Sequence, residues 1–172
     1  MSGSVITNFH LALKSHDHSR CIDAALEQAN HICKQKKLQF TPTRKLVLKL
    51  IWQSHRPLGA YQILDMLADL NKKKSIAPPT VYRAINFLLL HGLIHRIPSL
   101  NAFIGCPFPN SSHSNVFMIC ENCSNAAEIS DKGLNKVLRS ACERAQFHLN
   151  MQNIELFGTC ATCTENKTLS SS

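Results

Sequence analysis

Two pairs of cysteines with the same spacing are the strongest chemical signal in this 172-residue chain. Cys120 and Cys123 form the first Cys-x-x-Cys pair, and Cys160 and Cys163 form the second. Four thiolates can surround one ion as a tetrahedron, which is the geometry of closed structural zinc sites. A thioredoxin-like redox centre would need a single pair at a helix N-terminus, so the doubled pair favours structural zinc.

A second group of possible ligands remains once the paired cysteines are assigned. It comprises two imidazoles, a thiol and a carboxylate, namely His95, Cys106, His113 and Glu128. Each alone is typical of an ordinary surface or core position, but together they suit a four-coordinate zinc ion without net charge. Because His95 and Cys106 lie in the first half of the chain and Glu128 in the second, we expect one ion to set the angle between the halves and to act as a switch.

The same four residues allow an enzyme as an alternative. A zinc hydrolase would use His95, Cys106 and His113 as ligands and Glu128 as general base, with an open position for water. The chain lacks a His-Glu-x-x-His helix, and hydrolysis would leave the basic first half without a role. We therefore expect no enzymatic activity and no small-molecule substrate.

Charge is distributed unevenly along the chain. Lys and Arg outnumber Asp and Glu by 14 to 5 through Pro98, but the ratio is only 5 to 6 from Ser99 onward. A basic half favours a polyanionic partner, because cationic side chains that replace counterions on phosphates gain affinity. Neither a membrane span nor a secretory signal is visible, so we expect a cytoplasmic protein whose cysteines stay reduced.

The first half has the pattern of four helices followed by a hairpin. Ser19 is predicted as the first N-cap, Thr41-Pro42 as the second helix start, and Gly92 as a left-handed terminus. Apolar periodicity gives the bounds of the helices and of the two strands: Ser19–Lys37, Thr41–His55, Gly59 to the polar run Asn71–Lys74, Pro78–Gly92, Leu93–Ile97 and Ala102–Gly105.

This order of elements predicts a winged helix-turn-helix. In that motif the third helix braces the fourth, and the N-terminal residues of the fourth enter the major groove of DNA. Tyr82 and Arg83 lie in this N-terminal part of the fourth helix, so we expect both to contact DNA.

The second half has a different pattern, in which strands surround one helix. The predicted elements are strands at Val116–Ile119 and Ala126–Ile129, a helix at Lys132–Gln146 and a strand within Phe147–Phe157. We expect a small α/β dimerisation domain with a three-stranded antiparallel sheet. Its few charges and small core make it depend on metal and on a second chain.

The predicted fold class is therefore α+β, with two domains and two flexible tails. The tails are residues 1–18 and 166–172. The winged-helix DNA-binding domain, including its hinge, spans 19–106, and the metal-binding dimerisation domain spans 107–165. The remaining cysteines, Cys21, Cys33 and Cys142, are predicted to be core thiols.

Four segments, in this order, resemble the ferric uptake regulator (Fur) superfamily over about residues 20 to 165: Thr41–Arg44, Pro78–Ala84, Cys120–Cys123 and Cys160–Cys163. His95, Cys106, His113 and Glu128 match the regulatory site of its zinc uptake regulator (Zur) branch, and the paired cysteines match the structural site. The resemblance implies a homodimeric repressor with two zinc ions per subunit, one structural and one regulatory. Such a repressor binds double-stranded operator DNA when zinc-loaded, releases it when zinc is scarce, and controls zinc uptake genes. It also implies that DNA is met by Tyr61, Thr80, Arg83 and Arg44, with Tyr82 beside them.

The metal that serves as the signal is an open choice within the superfamily. Relatives that sense iron or peroxide carry a His-His-Asp-His stretch shortly before the first cysteine pair, whereas the matching stretch here is His113-Ser-Asn-Val-Phe. The missing oxygen ligands and the soft thiolate of Cys106 favour zinc. A regulator that responds to iron, manganese or peroxide is the alternative.

Overall fold

Helices dominate the first part of the chain and strands the second. The computed structural model describes Leu13 and residues 17–70, 76–109, 115–150 and 152–169. The chain divides into two compact units, an N-terminal unit at Ser15–Ser111 and a C-terminal unit at Ser112–Ser172 that also includes Leu13. The division falls at Ser111, whereas the sequence analysis ended the first domain at Cys106.

The N-terminal unit contains the predicted helices and hairpin in the predicted order. Its elements are α1 (Ser19–Gln35), α2 (Pro42–Ile51), β1 (Leu58–Gly59), α3 (Ala60–Leu70), α4 (Pro78–Leu90), β2 (Ile94–Ile97) and β3 (Ala102–Gly105). The two-residue strand β1 was not predicted, and it pairs with β3 to give an antiparallel sheet of order β1-β3-β2. The α+β class and the winged-helix arrangement of this unit are confirmed.

The helix starts differ in detail from the prediction. Thr41 caps α2 as expected, because its hydroxyl accepts the backbone N–H of Arg44 at 3.5 Å. Ser19 is not a cap but the first residue of α1, and its amide and hydroxyl both donate to the carboxylate of Asp17. Gly59 belongs to β1 rather than to α3, which begins at Ala60.

The core of the N-terminal unit lies between α2 and α4. Val47, Ile63 and Leu88 are fully buried in it, together with Leu67 on α3. Leu70, the last residue of α3, is 59% exposed. None of the helices in the described part of the chain is long and apolar enough to cross a membrane.

Gly92 ends α4 and turns the chain into β2. It has φ +63°, as predicted, and its N–H donates to the carbonyl of Leu89 at 3.0 Å. The N–H of Leu93 donates to the carbonyl of Leu88 at 2.9 Å, which completes a Schellman motif. This turn fixes the start of β2 relative to α4.

The C-terminal unit is a three-stranded sheet with two helices. Its elements are β4 (Asn115–Cys120), β5 (Ala126–Ile129), α5 (Lys132–Arg144), β6 (Asn153–Gly158) and α6 (Ala161–Leu169). The strand order is β5-β4-β6. The predicted all-antiparallel pairing is wrong for one strand: β5 is antiparallel to β4, but β6 is parallel to it. β5 ends and β6 begins at the same end of the sheet, on opposite sides of β4, so the segment that contains α5 crosses from one side to the other and β6 runs in the direction of β4.

Packing in the C-terminal unit is concentrated in the sheet. Val116, Phe117 and Ala126 are fully buried, whereas none of the described side chains of α5 is. Cys142 on α5 is only half-buried, as is Cys21 on α1, so of the three predicted core thiols Cys33 alone is buried. The chain is still helical beyond residue 165, where the sequence analysis placed the start of the tail.

We expect Gly92→Ala to destabilise the N-terminal unit by about 1–2 kcal/mol, because a side chain disfavours the left-handed backbone that Gly92 adopts. The space around Gly92 is open, since an added Cβ would meet only the Pro109 carbonyl at 4.0 Å. Gly59→Ala is the matched control, because its Cβ would make ordinary contacts and its φ is not positive. Denaturant titrations that give the two variants equal unfolding free energies would contradict the role assigned to Gly92.

Candidate metal sites and DNA-binding surface

The four paired cysteines converge at one end of the C-terminal sheet. Their sulfur atoms all lie within 4.8 Å of one another, and Cys123 Sγ lies 3.9 Å from Cys160 Sγ. Sulfur atoms bound to one tetrahedral zinc at about 2.3 Å are separated by distances of this size. No disulfide joins any of them, so all four thiols are available as ligands. The cluster therefore fits a closed zinc site.

Short backbone turns bring the two pairs together. Cys120 ends β4, and the following turn closes with Ser124 N–H donating to the Cys120 carbonyl at 2.8 Å. Ser124 adopts φ +61°, and the chain then returns so that the Asn125 carbonyl accepts the N–H of Cys120 at 2.8 Å. Cys160 directly precedes α6, and Cys163 lies in the first turn of that helix. Because β4 and β6 are parallel neighbours, both turns lie at the same end of the sheet.

Two thiols of the cluster have pKa values shifted in opposite directions. Burial raises the pKa of Cys120, but backbone N–H groups, above all that of Cys160 at 3.3 Å, outweigh burial and lower this pKa to about 6. Hydrogen bonding with Cys160 and the other sulfurs raises the pKa of Cys163 to about 12. If several thiols this close together lost their protons, the thiolates would repel one another. A bound divalent cation would reduce that repulsion.

Two of the four predicted regulatory ligands meet on the wing hairpin of the N-terminal unit. His95 lies on β2 opposite Ile104, and Cys106 follows the last residue of β3. A ring nitrogen of His95 and Cys106 Sγ lie within 4.8 Å of each other. The Cys106 N–H donates to the Leu93 carbonyl at 3.1 Å, and its sulfur accepts the N–H of Phe108 at 3.4 Å. An imidazole and a thiol at this separation fit adjacent positions on a zinc ion.

The other two predicted ligands have different settings. Glu128 lies on β5 of the C-terminal unit, opposite Phe117, and is 7% exposed. It is the only charged side chain found buried among the described residues, which is unusual because burial of a carboxylate is costly without a partner. His113 lies outside the described residues.

Trp52, which the sequence analysis passed over, packs beside the same hairpin. A Cβ added to Gly105 would overlap Cε2 and Nε1 of the Trp52 ring and would come within 2.8 Å of Cδ2. The indole therefore lies directly against the backbone of the residue that precedes Cys106. A glycine immediately before a predicted ligand was the available signal, but the sequence alone does not indicate which ring covers it.

Four of the five predicted DNA-binding side chains lie on α3 and α4. Tyr61 near the start of α3 is 78% exposed, and Tyr82 in the N-terminal half of α4 is 40% exposed. Thr80 and Arg83, also at the start of α4, are both exposed. Pro78 begins this helix, so the exposed residues surround a helix N-terminus, where backbone N–H groups and the helix dipole favour phosphate.

Arg44 differs from the other predicted DNA contacts. Its guanidinium carbon lies 3.5 Å from the centre of the Phe87 ring, and its Nη1 donates to the carbonyl of Gln39. The contact with Phe87 joins α2 to α4, so Arg44 has a structural role that the sequence analysis missed. His91 packs against the same Phe87 ring in an edge arrangement, with ring centres 4.4 Å apart. Burial lowers the pKa of His91, and the charges of Lys36 and Arg44 lower it further.

Comparisons with known proteins agree with this architecture. Residues 35–157 match the Ferric uptake regulator family. The chain is 34% identical over 141 residues to the zinc uptake regulation protein of Escherichia coli (strain K12), a match that covers 81% of each protein.

Two solved structures are similar over most of the chain. One is described as a zinc uptake regulator complexed with zinc and DNA, with a TM-score of 0.77, 32% identity and coverage of 86% of this chain and 97% of that one. The other is holo XcZur, with a TM-score of 0.74, 35% identity and coverage of 83% and 99%. On the strength of the family match and of this identity over four-fifths of its length, the chain belongs to the ferric uptake regulator family.

Proposed function

We propose that this protein is a zinc-responsive transcriptional repressor that binds operator DNA as a homodimer when zinc-loaded and controls zinc uptake genes. The observation that carries the proposal is the wing hairpin, which holds the imidazole of His95 and the thiol of Cys106 within 4.8 Å of each other. This hairpin is joined through Gly92 to the helix that presents Tyr82 and Arg83. The relatives described as zinc uptake regulators support zinc as the signal.

The first zinc ion in the proposal is structural and is held by Cys120, Cys123, Cys160 and Cys163. Zinc binding in small domains contributes about 10–16 kcal/mol, whereas whole domains are stable by only about 5–15 kcal/mol. Because no described side chain of α5 is buried, the C-terminal unit has little packing of its own beyond the sheet. The ion would thus cross-link the end of β4 to the start of α6, which hydrophobic packing alone holds together weakly.

The second zinc ion is regulatory, and the proposed ligands are His95, Cys106, His113 and Glu128. Zinc binds imidazole nitrogen and thiolate sulfur strongly and tolerates one carboxylate in a tetrahedral site. The soft sulfur of Cys106 disfavours manganese and favours zinc over iron. Buried Glu128 would provide the negative charge that, with Cys106, balances the ion.

The proposed DNA contact is made by the N-terminal half of α4, with Tyr61 of α3. Arg83 and the excess of Lys and Arg over Asp and Glu, 14 to 5 through Pro98, provide attraction to the phosphate backbone. Exposed Tyr82 and Tyr61 can reach sugar and base edges, and Thr80 can donate to a phosphate. Arg44 would add its positive charge to this surface while its stacking on Phe87 keeps α4 in place.

The proposed dimer forms through the C-terminal unit. Strand β6 lies at the edge of its sheet and exposes Leu156 (46%) and Phe157 (52%), and α5 exposes Val137 (64%). Apolar side chains on an unpaired strand edge favour association with a second strand. A second copy of the chain is the partner that offers a matching surface in a symmetric dimer.

Loss of one paired cysteine should unfold the C-terminal unit. We expect Cys120→Ser to bind one zinc ion fewer per chain and to lose the thermal transition of this unit, because three thiolates do not close the tetrahedral site. Cys142→Ser, a change of a half-buried thiol on α5 outside the cluster, is the control and should bind the normal amount. Metal analysis combined with circular dichroism melting measures both quantities. Normal zinc content and melting in Cys120→Ser would contradict the structural site.

The zinc response should depend on His95. In the wild-type protein we expect zinc to strengthen operator binding about 5- to 150-fold, the usual range for allosteric coupling. His95→Ala should keep the fold but bind the operator with the same affinity at all zinc concentrations, whereas His31→Ala, an exposed histidine on α1, should respond normally.

Fluorescence anisotropy of labelled operator DNA against buffered free zinc measures this response, with iron and manganese titrated in parallel. A wild-type protein that binds equally well with and without zinc would refute the repressor mechanism. A response to iron or manganese but not to zinc would identify that metal as the signal in place of zinc.

Charge on the β6 edge should prevent dimerisation. We expect Phe157→Glu to sediment as a monomer at concentrations where the wild type is a dimer, because association would bury an unpaired carboxylate from each chain in the proposed interface. Leu90→Glu, which changes an 80% exposed apolar side chain on α4, should leave the dimer intact. A dimeric Phe157→Glu protein would show that another surface forms the interface.

A further inference from the structure

The contact between Trp52 and Gly105 concerns a single backbone position. Gly105 lacks the Cβ that would overlap Cε2 and Nε1 of the indole, so the ring can lie directly on the main chain. Gly105 does not have positive φ, and alanine could adopt its backbone conformation without strain. Glycine is therefore required here by the neighbouring ring and not by the backbone.

The covered backbone leads straight to a proposed metal ligand. Gly105 pairs with Ile94 on β2, and the next amide, that of Cys106, donates to Leu93. Any displacement of the chain at Gly105 would shift Cys106 relative to His95, which is on the paired strand. The indole itself is anchored, because Trp52 is the C-cap residue of α2 and packs against the core.

The Trp52 ring contributes its shape to this contact and not a hydrogen bond. Its Nε1 is buried and has no hydrogen-bond acceptor among the residues that the structure describes. A tryptophan placed for hydrogen bonding would have a partner, so the flat apolar surface is the property that this position uses. Phenylalanine could preserve much of that surface, whereas leucine could not.

We infer that Trp52 is a positioning residue for the regulatory metal site. Its indole packs against Gly105 and thereby fixes the distance between the Cys106 sulfur and the His95 ring. The inference rests on the proposed role of His95 and Cys106 as zinc ligands. Residues that orient metal ligands typically change metal affinity about 10- to 100-fold when altered. Trp52 is also the single tryptophan of the chain, so its emission reports on the hairpin directly.

The test is a titration of the regulatory site in the full-length protein whose cysteine cluster is already loaded with zinc. Cobalt is added, and the absorption of the cobalt–thiolate bond and the quenching of Trp52 emission are followed together. We expect G105A to bind cobalt about 10- to 100-fold more weakly than the wild type. G59A is the matched control, since it adds the same methyl group to the same sheet without overlap and should bind normally.

A second pair of variants separates positioning from general destabilisation and serves if G105A does not fold. These variants lack the single tryptophan, so their cobalt binding is followed by the thiolate absorption alone. We expect W52F to bind cobalt like the wild type and W52L to bind more weakly with a weaker thiolate band. In the double variant W52L/G105A the smaller side chain makes room for the methyl group, so its loss of affinity should be smaller than the two single losses combined.

The outcomes distinguish this inference from the proposed function. If the wild type binds no metal beyond the cysteine cluster, the proposed regulatory site itself fails. If the wild type binds a second ion and both G105A and W52L bind it with wild-type affinity and an unchanged thiolate band, the regulatory site stands and the positioning role of Trp52 is refuted. Equal weakening in G105A and G59A would also refute it.

Discussion

The pairing of β2 with β3 is the constraint on which the proposed metal response depends. It sets His95 beside Cys106, and it is fixed at one end by the Cys106–Leu93 hydrogen bond and by the indole of Trp52 on Gly105. At this same end β2 joins α4 through the left-handed turn at Gly92. A metal ion bound to this hairpin would therefore act on the structural element that continues directly from the proposed DNA-recognition helix, with a single turn between them.

The C-terminal unit is stabilised in a different way. Its buried side chains belong to the sheet and the cysteine cluster, and α5 adds an exposed apolar surface instead of a core. Two parts of this unit lack stabilising packing: the end of the sheet where the cysteines lie, and the surface along β6 and α5. In the proposed function zinc stabilises the first and a second chain covers the second, so metal content and oligomeric state would both determine the stability of this unit.

The parts of the fold that depend on local pattern were predictable from the sequence. Helical periodicity, the Thr41-Pro42 start and the Gly92 terminus identified the helices, and ligand spacing identified the cysteine cluster. Other features were missed, for local as well as for long-range reasons. The parallel direction of β6 depends on the path of α5, the two residues of β1 are too few to show a period, and Asp17 displaced Ser19 as the polar group at the start of α1. The stacking of Arg44 on Phe87 and of Trp52 on Gly105 required three-dimensional packing to be seen.

The central claim is that zinc binding and DNA binding are linked through the same molecule, and linkage must be reciprocal. The most direct test is the zinc affinity of the regulatory site, measured by competition with a chelator in the presence of saturating operator DNA and in the presence of an unrelated duplex. The account predicts that operator DNA tightens zinc binding by the same factor, about 5- to 150-fold, by which zinc tightens operator binding. Identical zinc affinity with the operator and with the unrelated duplex would contradict it.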